Sequence, residues 1–284
     1  MNALMFPDPE RIPSGTPTQG AHPWNRYVAL GDSFTEGFGD PEPQSPGGVR
    51  GWADRVAEEL STGHSDFAYA NLAVRGRLLQ QIVDEQVGPA LELKPDLVTF
   101  SAGGNDLVFR GADPDRLAEK LDPAVRSLSS TGATVVIFTG PDWGSTPVFS
   151  HIRGKVAIFN EHLRTIAARY DGVIADLWAL RQLSDPRMWD PDRLHFSPLG
   201  HHTIAAMVLE TLNVPHTLKP LEPKALPASS WREARSSDLI WAKDYLFPWV
   251  LRKVRQRPAT PGLLPKRPEP GPAYSPGMRE EEAS

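Results

Sequence analysis

Five short apolar runs constrain this chain more than any other feature: Tyr27–Leu30, Phe67–Leu72, Leu97–Phe100, Thr134–Phe138 and Val173–Leu177. Each is of strand length and rich in β-branched or aromatic residues, and most end in Gly, Asp or Asn. Helical patterns lie between them. Trp52, Val56 and Leu60 recur every four residues, and Leu78, Ile82 and Val83 begin a second apolar face. Over Arg153–Tyr170, the residues Val156, Phe159, Leu163, Ile166 and Tyr170 share one stripe. Ile204, Val208 and Leu212 mark a last helix, opened by Ser197-Pro198 as cap and first-turn proline. Strands that alternate with helices predict a parallel sheet covered on both faces. No internal repeat interrupts the pattern.

The alternation occupies residues 25–214. Residues 1 to about 24 are polar, rich in Pro and Gly and without periodicity, which predicts a flexible lead-in. From 215 to 284 prolines become frequent and basic clusters appear, at Arg252-Lys253-Val254-Arg255-Gln256-Arg257 and Lys266-Arg267, before the terminal Glu280-Glu281-Glu282. Within this extension Ser230–Val254 carries Trp231, Ile240, Trp241, Tyr245, Leu246, Trp249 and Val250, a candidate amphipathic helix that Pro248 would kink. Its apolar face is expected to pack back on the main domain, with a membrane surface as the other candidate partner. Residues after about 257 are expected to be disordered.

With 284 residues and 40% hydrophobic content, the chain can bury one substantial core, alone or with an appendage. A net charge of −5 argues against nucleic acid as the main partner, which would call for a basic excess. The absence of cysteine excludes a disulfide framework, a thiolate metal site and a cysteine nucleophile, and fits a reducing compartment. The first 24 residues lack the apolar core of a signal peptide. No stretch approaches the roughly 18 apolar residues that span a bilayer. The expectation is a soluble, cytoplasmic protein.

Four segments sit at predicted strand ends or just before the last helix, the edge where ligands collect in open α/β sheets. The first is Gly31-Asp32-Ser33, where glycines at 31 and 37 allow a constrained turn. A serine there fits two roles equally well, a nucleophile served by a base or the N-cap of a helix. In the second, Asn71-Leu72-Ala73-Val74-Arg75-Gly76, the glycine either lets a backbone N–H approach a substrate or serves loop geometry alone. The third, Gly103-Gly104-Asn105-Asp106, offers an amide donor for a developing oxyanion or an ordinary turn. In the fourth, Asp192-Arg193-Leu194-His195, a carboxylate three residues before a histidine can reach its Nδ1–H and leave Nε2 facing the serine. Asp32 and Asp106 read as loop-fixing acceptors. The remaining histidines have no carboxylate at comparable spacing, and His151 stays a weak rival in a loop that borders the site. The adjacent His201 and His202 diverge by about 100° on a helix and cannot share a metal.

Taken together, Gly31–Gly37, Asn71–Gly76, Gly103–Asp106 and Asp192–His201 resemble the SGNH, or GDSL, hydrolases. The marker residues Ser, Gly, Asn and His of that family match Ser33, Gly76, Asn105 and His195 in order. The likeness spans residues from about 25 to 214 and leaves the extension outside it. It implies a flavodoxin-like three-layer α/β/α sandwich with a five-stranded parallel sheet. It further implies Ser33 as nucleophile, His195 as base and then acid, and Asp192 as the group that orients the histidine. The oxyanion hole would be the Ser33 N–H, the Gly76 N–H and the Asn105 side chain. No metal or organic cofactor is called for. Arg75 stands where many relatives carry a small polar residue, a departure that bears on substrate. The expected activity is hydrolysis of a small-molecule, carbohydrate or lipid ester. An acyltransferase sharing the acyl-enzyme and a non-catalytic binding protein on the same fold are the rival classes. Phe34, Trp143 and Phe149 are candidates to line an acyl pocket or to cap the core. Phe109, Trp189 and Phe196 also neighbour the four segments. No long apolar lid segment is visible, which favours a short acyl chain.

Overall fold

Residues 22–145, 149–222 and 262–273 are described by a computed structural model of the chain. Most of the N-terminal lead-in and the candidate helix Ser230–Val254 lie outside them. The order is β1 (Arg26–Leu30), α1 (Ser33–Glu36), α2 (Trp52–Ser61), β2 (Ala68–Asn71), α3 (Leu79–Ile82), α4 (Gly88–Glu92) and β3 (Leu97–Phe100). There follow α5 (Gly104–Leu107), α6 (Pro114–Ser129), β4 (Thr134–Phe138), α7 (Arg153–Arg169), β5 (Val173–Ala175), α8 (Pro198–Thr211) and β6 (Arg267–Gly271). A π-turn at Val83–Val87 joins α3 to α4. Among the described residues no helix is long and apolar enough to cross a membrane.

The sheet runs β5-β4-β3-β1-β2-β6, with parallel pairing among the first five. Strand side chains alternate between its faces. Val28, Leu30, Val98, Phe100, Val135 and Ile137 pack under α3, α4, α6 and α7. Tyr27, Ala29, Tyr69, Leu97, Val136 and Phe138 pack under α2 and α8. The parallel sheet covered on both faces that the alternation predicts is thus present, as the three-layer α/β/α arrangement that the resemblance implies. The connections from β1 run to β2 on one side and on to β3 on the other, so the order reverses at β1. Such a reversal opens a crevice at the carboxyl ends of the strands, and Ser33 follows β1 there.

Three differences from expectation have physical causes. Among the described residues the sheet has six strands rather than five, and β6 runs antiparallel to β2 with a register shift between Tyr69 and Asn71. Its sequence Arg267-Pro268-Glu269-Pro270-Gly271 carries two prolines, which remove ladder donors and so do not read as strand. An edge strand tolerates them, and they also blunt the edge against further pairing. Residues 262–273 therefore depart from the expected disorder beyond 257. Lys266 and Asp54 form a buried ion pair, 2% and 5% exposed, and removing one partner of such a pair costs about 3–5 kcal/mol. Finally, α6 is absent from the helices expected above. Asp113 caps it and Leu117, Leu121, Val125 and Leu128 are buried, but Pro123 in its interior reads as a stop.

Candidate active site

The turn after β1 is built by close approach. A Cβ at Gly31 would lie 2.4 Å from Thr35 Oγ1 and 3.0 Å from the Ser101 carbonyl oxygen. The buried Gln86, set in the π-turn, grips the same glycine from both sides. It accepts the Gly31 N–H at 2.8 Å and donates to the Gly31 carbonyl at 2.8 Å. Asp32 caps α1 by accepting the Phe34 N–H at 3.1 Å. Ser33 is therefore the first helical residue and not the cap. Gly37, at φ 97°, ends the helix in the left-handed region that favours glycine. Its N–H bonds the Ser33 carbonyl at 3.1 Å.

The segment before α8 brings two more groups to Ser33. Arg193 takes a left-handed φ of 56°, closing a tight turn between Asp190 and His195. Asp192 Oδ1 accepts the Leu194 and His195 N–H groups at 2.8 and 2.9 Å. Its Oδ2 stands 2.5 Å from His195 Nδ1. On the far side of the ring, His195 Nε2 is 2.9 Å from Ser33 Oγ. Burial pushes the Asp192 carboxyl up, but the His195 ring and the two peptide N–H groups more than offset it and hold it below the usual carboxylate range. Neighbouring Asp190 is held above that range by burial first and then by the charge on Asp192.

Asn105, near the start of α5, donates through Nδ2 to Asp32 Oδ2 at 2.7 Å and to the Arg77 carbonyl at 3.2 Å. Asp106 accepts the Leu79 N–H at 2.9 Å. Both aspartates thus serve as loop-fixing acceptors. Gly76 sits at φ 78°, in a loop tied to α1 through Arg75. The Arg75 N–H donates to Glu36 Oε2 at 2.8 Å, and its guanidinium meets Glu36 Oε1 at 2.5 Å. That guanidinium lies 4.8 Å from the centre of the Phe38 ring, whose centre is in turn 4.5 Å from that of the His195 ring in an edge-on contact.

A cavity of about 140 Å³ opens between Ser33, Asn105 and His195 and runs inward toward α7. Phe34, Trp143 and Phe149 all line it, as do Trp189 and Phe196, and its depth is apolar, with Val108, Ile152, Val156 and Phe159. Phe109 is not part of the lining and is 38% exposed. His151 is exposed and likewise absent from the lining. Two buried polar residues shape the surroundings: Asn160, which the sequence patterns did not single out, and His201, for which they left a core or a surface role open. Asn160, buried on α7, accepts the Gly140 N–H at 2.8 Å and donates to its carbonyl at 3.0 Å, fixing the loop that carries Trp143. His201, fully buried on α8, accepts the Trp52 N–H at 3.1 Å and bonds the Phe38 carbonyl at 3.2 Å. Burial pushes its imidazole down to about 3, so it is neutral. A mid-helix asparagine reads as surface from sequence, which hides Asn160.

Residues 29–203 match the GDSL-like lipase/acylhydrolase family. The chain belongs to that family. The match runs from the end of β1 into the first half of α8 and stops short of β6. Among curated proteins, a relative in Bacillus subtilis (strain 168), the uncharacterized protein YpmR, is 26% identical over 214 residues, 65% of this chain and 80% of its own length. The family fold recurs in solved structures of lower identity. LAE5, an alpha/beta hydrolase enzyme from the metagenome of Lake Arreo, gives a TM-score of 0.57 at 18% identity, over 70% of this chain and 100% of its own. The lipase/acylhydrolase from Enterococcus faecalis gives 0.55 at 22% identity, over 70% of this chain and 99% of its own. Axe2, an acetyl xylan esterase from Geobacillus stearothermophilus, gives 0.55 at 16% identity, over 69% of this chain and 97% of its own.

Proposed function

We propose that this chain is a serine esterase in which Ser33, His195 and Asp192 form the catalytic triad. One observation carries the reading: the line of contacts from Asp192 through the His195 ring to Ser33 Oγ, at 2.5 and 2.9 Å. With Asp192 on Nδ1–H, His195 Nε2 is free to accept a proton. Ser33 Oγ attacks the ester carbonyl as His195 takes its proton. The charge that develops on the carbonyl oxygen is held by the Ser33 and Gly76 N–H groups and the Asn105 amide. Such a donor is typically worth about 3 kcal/mol. For that role Asn105 turns part of its amide from the Asp32 carboxylate toward the oxyanion.

His195 then returns the proton to the leaving alcohol, and an acyl–Ser33 ester remains. Water, deprotonated by the same ring, attacks that ester, and as the acyl–oxygen bond breaks His195 returns the proton to Ser33 Oγ and the acid leaves. The carboxylate of Asp192 stabilises the imidazolium in both half-reactions. Phe34, Trp143 and Phe149 contact the acyl group. A cavity of about 140 Å³ is close to the roughly 150 Å³ that accommodates benzene in an engineered core. That size supports an acyl chain of a few carbons.

Purified full-length chain is expected to hydrolyse p-nitrophenyl butyrate with release of free butyrate, and Ser33→Ala to lose turnover. Undiminished hydrolysis by that variant removes Ser33 as nucleophile. Butyryl transfer to an added alcohol in preference to water would reassign the chain as an acyltransferase.

A further inference from the structure

The far C-terminal segment reaches the catalytic elements through Asp54, which Lys266 hydrogen-bonds and Arg267 Nε approaches at 3.8 Å. The side chain of Lys266, just before β6, is 2% exposed, and its Nζ donates to the Val49 carbonyl at 3.1 Å and to Asp54 Oδ2 at 2.5 Å. The same Asp54 oxygen accepts the Gly51 N–H at 3.0 Å, closing the first turn of α2. Gly51 rests directly on the backbone of Gly37: a Cβ on Gly51 would stand 2.4 Å from Gly37 Cα. A Cβ on Gly37 would stand 2.5 Å from the Gly51 nitrogen. Gly37 ends α1, and the Gly37 and Phe38 N–H groups both bond the Ser33 carbonyl, at 3.1 and 2.9 Å.

A second path leaves the same turn. The Trp52 N–H bonds His201, His201 bonds the Phe38 carbonyl, and the Phe38 ring packs on His195. The first turn of α2 is therefore in contact, through two separate routes, with the backbone under Ser33 and with the ring of His195. Lys266 is the group that pins this turn to the sheet edge, and it comes from outside the family match at 29–203.

We propose that Lys266 is a positioning residue, through which the β6 segment holds Ser33 and His195 in register for attack. The proposal rests on the esterase reading of Ser33. It differs from a purely structural staple in one respect: loss of Lys266 lowers turnover in protein that is still folded. A small displacement of reacting groups caused at a distance is enough to cost rate by an order of magnitude or more.

The test uses the full chain as wild type, Lys266→Met and Asp54→Asn/Lys266→Met. Each is assayed on p-nitrophenyl butyrate, and by the rate at which a fluorophosphonate labels Ser33, at a temperature where circular dichroism shows it folded. Lys266→Met leaves the buried Asp54 carboxylate with Arg267 Nε alone, 3.8 Å from Oδ1 and making no hydrogen bond to it, so its thermal midpoint falls. The double variant removes both charges while the introduced asparagine still offers an acceptor to the Gly51 N–H, so its midpoint recovers. For both variants kcat is expected to fall about tenfold with KM changed by less than about twofold, and labelling slows in parallel. If Lys266→Met does not fold, the double variant decides. Recovery of kcat together with the midpoint, or wild-type kcat in a folded Lys266→Met, overturns the positioning role alone. A wild-type chain that neither hydrolyses the ester nor takes the probe overturns the esterase reading and this role with it.

Discussion

Replacing Asp192 by asparagine tests the proposed triad at the member that orients the histidine. Two peptide N–H groups, from Leu194 and His195, point at Oδ1 at 2.8 and 2.9 Å. They require the amide oxygen of the new side chain to face them. The asparagine NH₂ then takes the place of Oδ2, 2.5 Å from His195 Nδ1. An NH₂ there requires Nδ1 to be the acceptor, so the ring proton moves to Nε2. That nitrogen faces Ser33 Oγ at 2.9 Å, and once protonated it cannot take the hydroxyl proton. The backbone bonds survive, so the fold does too. Trapping the wrong tautomer in a triad of this kind costs roughly 10⁴ in kcat, equivalent to about 5.4 kcal/mol of transition-state stabilisation. Steady-state hydrolysis of p-nitrophenyl butyrate measures it, with circular dichroism and a thermal midpoint as controls for folding. A loss of less than about tenfold in folded Asp192→Asn would refute the orientation argument.

Two other perturbations read the scaffold around the site. Gln86→Leu leaves the buried Gly31 N–H without its acceptor, which costs about 1–3 kcal/mol, while the Gly31 carbonyl keeps the Val74 N–H at 3.2 Å; chemical denaturation measures it, and an unchanged midpoint would show the clamp idle. His201 is neutral in the fold, with its imidazole pushed down to about 3, whereas unfolded histidine protonates near about 6.5. Its contribution is therefore flat above about pH 6.5, and stability falls by about 1.4 kcal/mol per unit as pH drops from there toward 3. Burial also pushes His22 down, so the slope due to His201 is the difference between wild type and His201→Asn in thermal midpoints between about pH 6.5 and 5. The variant is expected to show the flatter dependence in that window, and identical slopes would contradict the assignment.

The parts of the molecule legible in the sequence are those whose signal is local. β3 and β4 coincide with apolar runs bounded by turn formers, and α8 begins where Ser197-Pro198 announces it. Asp192 and His195 are three residues apart, so their pairing is written in one turn. Distant partners leave no such trace. Gln86 clamps a glycine 55 residues away, Lys266 an aspartate 212 residues away, and each looks alone like a solvated polar side chain. α6 and β6 are hidden for a different reason: proline is penalised in helix interiors and ladders alike. Pro123 is carried by a 16-residue helix well packed on its apolar face, and Pro268 and Pro270 by a strand at the sheet edge. Tertiary packing overrides the local preference in both.

The nucleophile itself is open to direct measurement. Full-length chain treated with a fluorophosphonate and digested is expected to carry one phosphonyl group, on Ser33 in the peptide containing Gly31-Asp32-Ser33-Phe34, with parallel loss of esterase activity. His195→Ala is expected to abolish the labelling. Ser101, which lines the same cavity, and Ser197, two residues beyond His195, are expected to stay unmodified. A label on another serine, or activity that survives complete modification of Ser33, would contradict the account.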